Sequence, residues 1–201
     1  MKIIVATQNQ DKFKIIQSLL SSTGLSEAEY LNLKDLNIES QAEETGSLIN
    51  RAEQKALFAA QNLIKNNISF DLIVGADDGM KLEGKDTDEN SKEITENILS
   101  NNLLKVGENL IIVRAFAFVN SKGEVAQSFE TEIPFKFIGN SKGITSQEFK
   151  YPLSYVLAPI DKELSVKELS EDESLNYYLE YCRQSLEENI NTYLKTLNEA
   201  I

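Results

Sequence analysis

Asp77 and Asp78 stand side by side, directly after the apolar run FDLIVGA (70–76) and directly before Gly79. Two adjacent carboxylates on a rigid element can hold a divalent ion and direct a water molecule. The same residues in a solvated D-D-G turn would do neither. Two other stretches carry residue types suited to the same work. In Thr7-Gln8-Asn9-Gln10-Asp11-Lys12, a turn between a strand-like and a helical run exposes backbone N–H groups at a helix N-terminus. The Lys12 cation and the Asn9 amide add to them, and the combination suits a phosphate. An ordinary polar strand-to-helix loop has a similar composition. In Glu43-Glu44-Thr45-Gly46, ahead of an alanine-rich run, the glutamates either favour a helix N-terminus or offer oxygen ligands to magnesium. The acidic run KDTDENSKE (85–93) lacks an adjoining buried strand and reads as solvated surface.

Composition narrows the chemistry further. The chain has no histidine, which removes zinc–histidine sites, Ser–His triads and imidazole acid–base catalysis. Carboxylates, lysines, hydroxyls and bound metal are what remain. Its one cysteine, Cys182, cannot form an internal disulfide, so a reducing cytoplasm is the expected location. The net charge of −12 argues against nucleic acid or an anionic membrane as partner. A small anionic ligand is compatible with that charge if a lysine, a helix N-terminus or a metal receives it. No apolar run approaches membrane-spanning length, and the opening MKIIVATQNQ is too brief for a secretion-signal core. At 201 residues the chain suits one domain, or one with a smaller lobe, and can bury a sizeable core.

The elements that must position these residues follow from periodicity. KIIVA reads as a buried strand and FKIIQSLLSST as an amphipathic helix, with the Thr7–Lys12 turn between them. YLNLKDLNI alternates as a shorter strand. SLINRAEQKALFAAQNLIKNN is a helix with Ile49, Ala52, Ala56, Ala59, Ala60, Leu63 and Ile64 at helical spacing. FDLIVGA then returns as strand, with the acidic pair at its C-terminal end, where open α/β sheets place ligands. Spaced Ile94, Ile98, Leu99, Leu103 and Leu104 suggest a helix within 86–104. NLIIVRAFAFV and VAQSFETEIPFKFIG flank the turn NSKGE as a long hairpin, with Pro134 marking an edge or a bulge. LSYVLAP suggests one more strand. Ser170-x-x-Glu173 has the form of a capping box, opening a helix with Leu175, Leu179, Cys182, Leu186, Ile190, Tyr193 and Leu197 on one stripe. That stripe is core, or else a heptad-like dimer seam.

The order and spacing of the three polar stretches resemble the house-cleaning nucleoside-triphosphate pyrophosphatases, which act on inosine and xanthosine triphosphates and their deoxy forms. Members open with a strand and A-T-G-N-x-x-K; here Ala6, Thr7, Asn9 and Lys12 are kept, with Gln8 in place of the glycine. The E-E-T-G segment is kept as Glu43 to Gly46, and the helix lysine as Lys55. The usual E-N-A triplet stands as Asn50, Arg51, Ala52. A-D-D-S-G-L corresponds to Ala76, Asp77, Asp78 and the residues after them, without the serine. VRAFAFVNSKGEVAQSFE is similar to the central hairpin of that family. The C-terminal third departs: Phe149, Tyr151 and Pro152 are what is left of G-F-G-Y-D-P. S-H-R is absent, with Arg183 the nearest candidate for its arginine.

The resemblance implies a mixed α/β fold: an elongated central sheet, flanking helices and two lobes around a nucleotide cleft. It implies a single domain over 1–201, with a phosphate lobe mainly from 1–85, a hairpin lobe about 108–140 and a C-terminal helix about 171–198. It implies magnesium-dependent hydrolysis of ITP, dITP or XTP to monophosphate and pyrophosphate. Glu44 and Asp78 would be metal ligands, with Asp77 beside them, and Asp78 would also be the catalytic base. Thr7, Gln8, Asn9, Lys12, Lys55, Phe149, Tyr151 and Arg183 would contact the nucleotide. A homodimer is the implied assembly. The altered C-terminal third leaves a second reading open: a catalytically silent relative that binds a nucleotide or a protein partner.

Overall fold

The computed structural model describes residues 1–39, 45–82, 91–100, 103–140, 142–147 and 151–199, with only the backbone of 91–92 and 197–199. Among them are six strands in one mixed sheet, ordered β2-β1-β3-β4-β5-β6, and four α-helices. The expected mixed α/β class is the observed one. The chain divides into two compact units, one of Met1–Asp77, Arg114–Thr131 and Tyr181–Ile201, the other of Asp78–Val113 and Glu132–Glu180.

In the first unit β1 (Lys2–Val5) pairs in parallel with β2 (Glu29–Asn32) and with the start of β3 (Leu72–Leu82). Ile3, Ile4, Leu72, Ile73 and Val74 are at most barely exposed, as a strand covered on both faces requires. β2 stops at Asn32 for a local reason. Asn32 Oδ1 accepts from the Asp35 N–H, and Asp35 Oδ2 accepts from the Asn32 N–H, a reciprocal turn that diverts the backbone from the ladder.

α1 (Gln10–Ser21) buries Phe13, Ile16, Leu19 and Leu20. α2 (Leu48–Lys65) starts at Ser47, whose hydroxyl accepts from the Asn50 N–H, and buries Ala52, Ala56, Ala59, Ala60 and Leu63. Ile64, expected on that face, is half exposed, because one further step around the helix carries it off the stripe. The second half of α4 (Glu171–Glu199) packs Cys182, Leu186, Ile190 and Tyr193 into the first unit's core, each buried within this chain. These four residues of the stripe are therefore core of this chain and not a dimer seam. Burying each such aliphatic side chain contributes about 1.5–3 kcal/mol. The Tyr193 hydroxyl donates to the Asp71 carbonyl, and burial with the nearby Asp71 charge pushes its pKa up to about 12.

The hairpin is the one expected: β4 (Asn109–Asn120) and β5 (Val125–Phe137) joined at Gly123, whose positive φ suits the turn. Phe116 stacks on Phe129, and Phe118 meets the same ring edge-on. In the second unit β6 (Leu157–Pro159) pairs antiparallel with Phe135–Phe137. LSYVLAP is only half strand: Pro152–Tyr155 form a 3-10 turn ahead of it. Pro134 lies one residue beyond that ladder. There the Tyr177 hydroxyl accepts from the Ile160 N–H and donates to the Pro134 carbonyl, bridging the two strands where the ladder has ended. α3 (Ser91–Leu99) buries Ile94, Ile98 and Leu99.

The expected capping box is present. Glu173 accepts from the Ser170 N–H and hydroxyl, and the Glu173 N–H donates back to the Ser170 hydroxyl. The Lys162 ammonium, 3.0 Å away, and then Ser170 hold the Glu173 carboxyl down at about 2, against an ordinary 4.5. A depressed carboxyl stabilises the fold fully above 4.5 and loses that contribution as pH falls towards 2. Glu173→Gln should therefore lower Tm at neutral pH in low salt, with the offset from wild type closing through this window. Thermal melts across the acid range check it; an offset independent of pH would contradict it.

Candidate functional site

β1 delivers the chain into the Thr7–Lys12 turn. The Ala6 N–H donates to the Val74 carbonyl at 2.9 Å, so the turn begins beside β3, where its pairing with β1 ends. Two of the polar side chains in the turn brace the turn itself, and a third ties it to a neighbouring loop. Asn9 is the N-cap of α1, its oxygen accepting from the N–H groups of Asp11 at 3.1 Å and Lys12 at 3.4 Å. Such a cap contributes about 1 kcal/mol. Thr7 Oγ1 accepts from the Asn9 N–H, and Gln8 Nε2 donates to the Ile38 carbonyl at 2.9 Å. Lys12 is half-buried in the first helical turn, where the helix end is already positive. An anion at this turn would meet Lys12 and that positive end.

The acidic pair is not at the end of its strand. β3 runs through Asp77 and Asp78 to Leu82, while its pairing with β1 reaches only Val74. The pair thus sits some three to four residues, about 10–13 Å, past the last β1 partner on a strand that continues. Two contacts let an acidic residue stay in the ladder. Asp77 Oδ2 accepts from Arg51 Nε at 2.6 Å, and Asp77 Oδ1 accepts from Lys55 Nζ at 2.5 Å. Arg51 and Lys55 are four residues apart on α2, so both point the same way. The helix comes this close because Gly75 has no side chain: a Cβ there would lie 2.0 Å from the Ala52 carbonyl oxygen.

Successive strand residues face opposite sides of a sheet. Gly75 and Asp77 face α2, which directs the half-buried Asp78 to the other side. The two carboxylates therefore lie on opposite faces of β3. Asp77, expected among metal ligands, commits one oxygen to each of two cations. Lys55, expected on the nucleotide, is held by Asp77.

Arg51 also reaches backwards. Its Nη1 donates to the Gly46 carbonyl at 2.9 Å, while Gln54 clasps Thr45 through both the Thr45 N–H and carbonyl. The Thr45–Gly46 turn is thereby fastened to α2. The role of Arg51 was missed in the sequence reading, although two like charges at helical spacing i, i+4 were a signal that an anion sits between them.

Arg183 is the residue expected in place of the S-H-R arginine. Its Nη1 donates to the Ser22 carbonyl, at the C-terminal cap of α1, and pairs with Glu187. α1 has 12 residues, about 18 Å of helix, between that cap and the Thr7–Lys12 turn, so Arg183 does not join the phosphate end. Its separation in space follows from the register of α4, which a motif match does not carry. Tyr151 is 44% exposed in the second unit, and its carbonyl caps the following 3-10 turn by accepting from Ser154. Glu44 and Phe149 lie outside the described residues. Among the described residues no three His, Cys, Asp or Glu side chains gather as a metal cage. The donor chemistry still fits magnesium, which takes oxygen ligands and is commonly held by one or two carboxylates plus substrate phosphates. No described helix is long and apolar enough to cross a membrane.

By sequence, no family model and no curated protein matches the chain. By structure, it is similar to the Staphylococcus aureus Ham1 protein, with TM-score 0.61 and 15% identity over 98% of this chain and 100% of that one. A Coxiella burnetii HAM1 protein gives TM-score 0.59 and 15% identity over 98% and 99%. A Mycobacterium abscessus nucleoside-triphosphatase / dITP/XTP pyrophosphatase gives TM-score 0.53 and 20% identity over 92% and 96%. The fold of this chain is the Ham1 fold.

Proposed function

We propose that this chain, on the Ham1 fold, is a magnesium-dependent nucleoside-triphosphate pyrophosphohydrolase acting on non-standard purine nucleotides such as ITP, dITP and XTP. The observation that carries the reading is the fastening of the Thr7–Lys12 turn to β3, at Ala6–Val74, just ahead of Asp77 and Asp78. An anion-receiving helix end and a carboxylate suited to metal thus belong to neighbouring strands of a fold shared with a dITP/XTP pyrophosphatase.

In this reading Lys12 and the positive end of α1 bind the triphosphate tail. Thr7, Gln8 and Asn9 keep that turn in shape. Glu44 and Asp78 would hold the magnesium ion, which supplies charge neutralisation at the phosphates and a more acidic water. Asp78 takes a proton from the water as its oxygen bonds to the α-phosphorus and the bond to pyrophosphate breaks. Asp77, with Arg51 and Lys55, holds the strand that presents Asp78. Phe149 and Tyr151 remain candidates for the base. The proposed assembly is a homodimer and the proposed compartment the cytoplasm, in keeping with the family resemblance and with the single, buried Cys182.

The test is a panel of ordinary and deaminated nucleoside triphosphates, with magnesium or with EDTA, scored for monophosphate and pyrophosphate. Both products from a deaminated purine nucleotide, abolished by EDTA, are expected. A second reading is favoured by one observation: the contacts of Thr7 and Asn9 described above lie inside the turn, and Gln8 ties the turn to the Ile38 carbonyl. It is a nucleotide-binding module without turnover. Saturable binding with no product would select it.

A further inference from the structure

Arg51 joins two segments that are far apart in sequence. One arm of its guanidinium meets Asp77 on β3, and the other meets the carbonyl of Gly46 in the turn ahead of α2. We infer that Arg51 is a positioning residue for Asp78, an inference that rests on the pyrophosphohydrolase reading above.

Three features support it. The guanidinium is a planar fork with fixed angles between its N–H groups, so two contacts from one fork set the spacing of what they touch. A lysine could make either contact but not hold both in that geometry. Next, Asp77 is the covalent neighbour of Asp78, and both of its oxygens are taken, by Arg51 and by Lys55. Held this way, Asp77 has little freedom to rotate, and the peptide carrying Asp78 is fixed with it. A reacting or ligating group has to be held within about 0.5 Å to work, and supporting contacts of this kind supply that. Last, Gly46 has φ +88°, a left-handed conformation, and the turn it forms is secured on one side by Gln54 and on the other by Arg51. Removing the guanidinium releases the turn and the strand from each other together.

A fold-stabilising role alone would make the same contacts, so the test needs readouts that such a role does not move. Arg51→Met keeps the aliphatic stem and helix propensity while deleting the fork. Loss of supporting contacts around metal-site residues typically costs 10–100-fold. In Arg51→Met, kcat should fall by about that factor, the magnesium concentration for half-maximal rate should rise at least about tenfold, and the nucleotide KM should change less than about threefold. Arg51→Lys, which restores the charge without the fork, should stay within about threefold of Arg51→Met.

Mn²⁺ binding followed by electron paramagnetic resonance gives a readout independent of turnover, and should weaken at least about tenfold in both variants. A folded Arg51→Met with lowered Tm but unchanged magnesium dependence and Mn²⁺ affinity overturns the inference. If Arg51→Met does not fold, the same two measurements on Arg51→Lys decide. If the wild-type chain binds Mn²⁺ but releases no pyrophosphate, the functional reading fails by itself, and Mn²⁺ affinity in Arg51→Lys still decides the positioning role. A wild type that neither binds Mn²⁺ nor turns over overturns both.

Discussion

Asp78→Asn should reduce pyrophosphate release by about 10²–10⁴-fold, the usual worth of a positioned acid–base group, with the fold unchanged. Asparagine has the same shape as aspartate, so the strand loses nothing it needs for packing. What disappears is the negative charge that would accept a proton from water and bind a divalent ion. The prediction is sharp because the neighbouring carboxylate cannot substitute. Asp77 faces α2 and is held by Arg51 and Lys55, whereas strand alternation sends Asp78 to the opposite face. Rates of product formation, normalised to folded protein by circular dichroism, check it. Activity within about threefold of wild type would remove Asp78 from the proposed chemistry, since even a modest acid–base contribution is about a hundredfold.

Gly75→Ala should be the most damaging small substitution for stability. The added methyl would lie 2.0 Å from the Ala52 backbone oxygen and 3.0 Å from the Ala56 Cβ. Both belong to the helix that also carries Arg51 and Lys55, and a backbone carbonyl cannot swing aside as a flexible side chain does. The helix must lift off the strand. Overpacking of a tight core typically costs about 1–3 kcal/mol and occasionally more, and contact with main chain belongs at the upper end. For a chain of this size, 3 kcal/mol corresponds to a fall in Tm of roughly 6–12 °C. Thermal unfolding measures it directly. An unchanged Tm would mean that α2 and β3 are not packed as described.

Much of this arrangement was legible from residue types alone. The buried run KIIVA, the alanine stripe of α2, the hairpin around Gly123 and the Ser170–Glu173 box each follow from local rules, and each stands where those rules put it. The parts that were not legible depend on partners distant in sequence. The acidic pair was expected at a strand end because free carboxylates end strands; Asp77 stays inside one because α2 supplies two cations from 26 and 22 residues away. Pro134 was expected at an edge or a bulge. It lies in a strand flanked by two others, at the point where the β6 ladder stops and Tyr177 bridges the gap.

The candidate site divides in the same way. Lys12 and the carboxylates could be picked from type and spacing. That Asn9 is a helix cap and Gln8 a tether to Ile38 depends on backbone geometry that spacing does not encode. Arg183 stands at the C-terminal end of α1, a position set by the register of α4 that a motif match does not carry.

The central proposition is that Glu44 and Asp78, far apart along the chain, bind one divalent ion together with a triphosphate. Mn²⁺ titration in the presence of a non-hydrolysable inosine triphosphate analogue, followed by electron paramagnetic resonance, measures this without depending on turnover. Wild type should bind a single Mn²⁺ in the ternary complex, and Glu44→Gln and Asp78→Asn should each weaken that binding at least about tenfold. Equal affinity in all three proteins would contradict it.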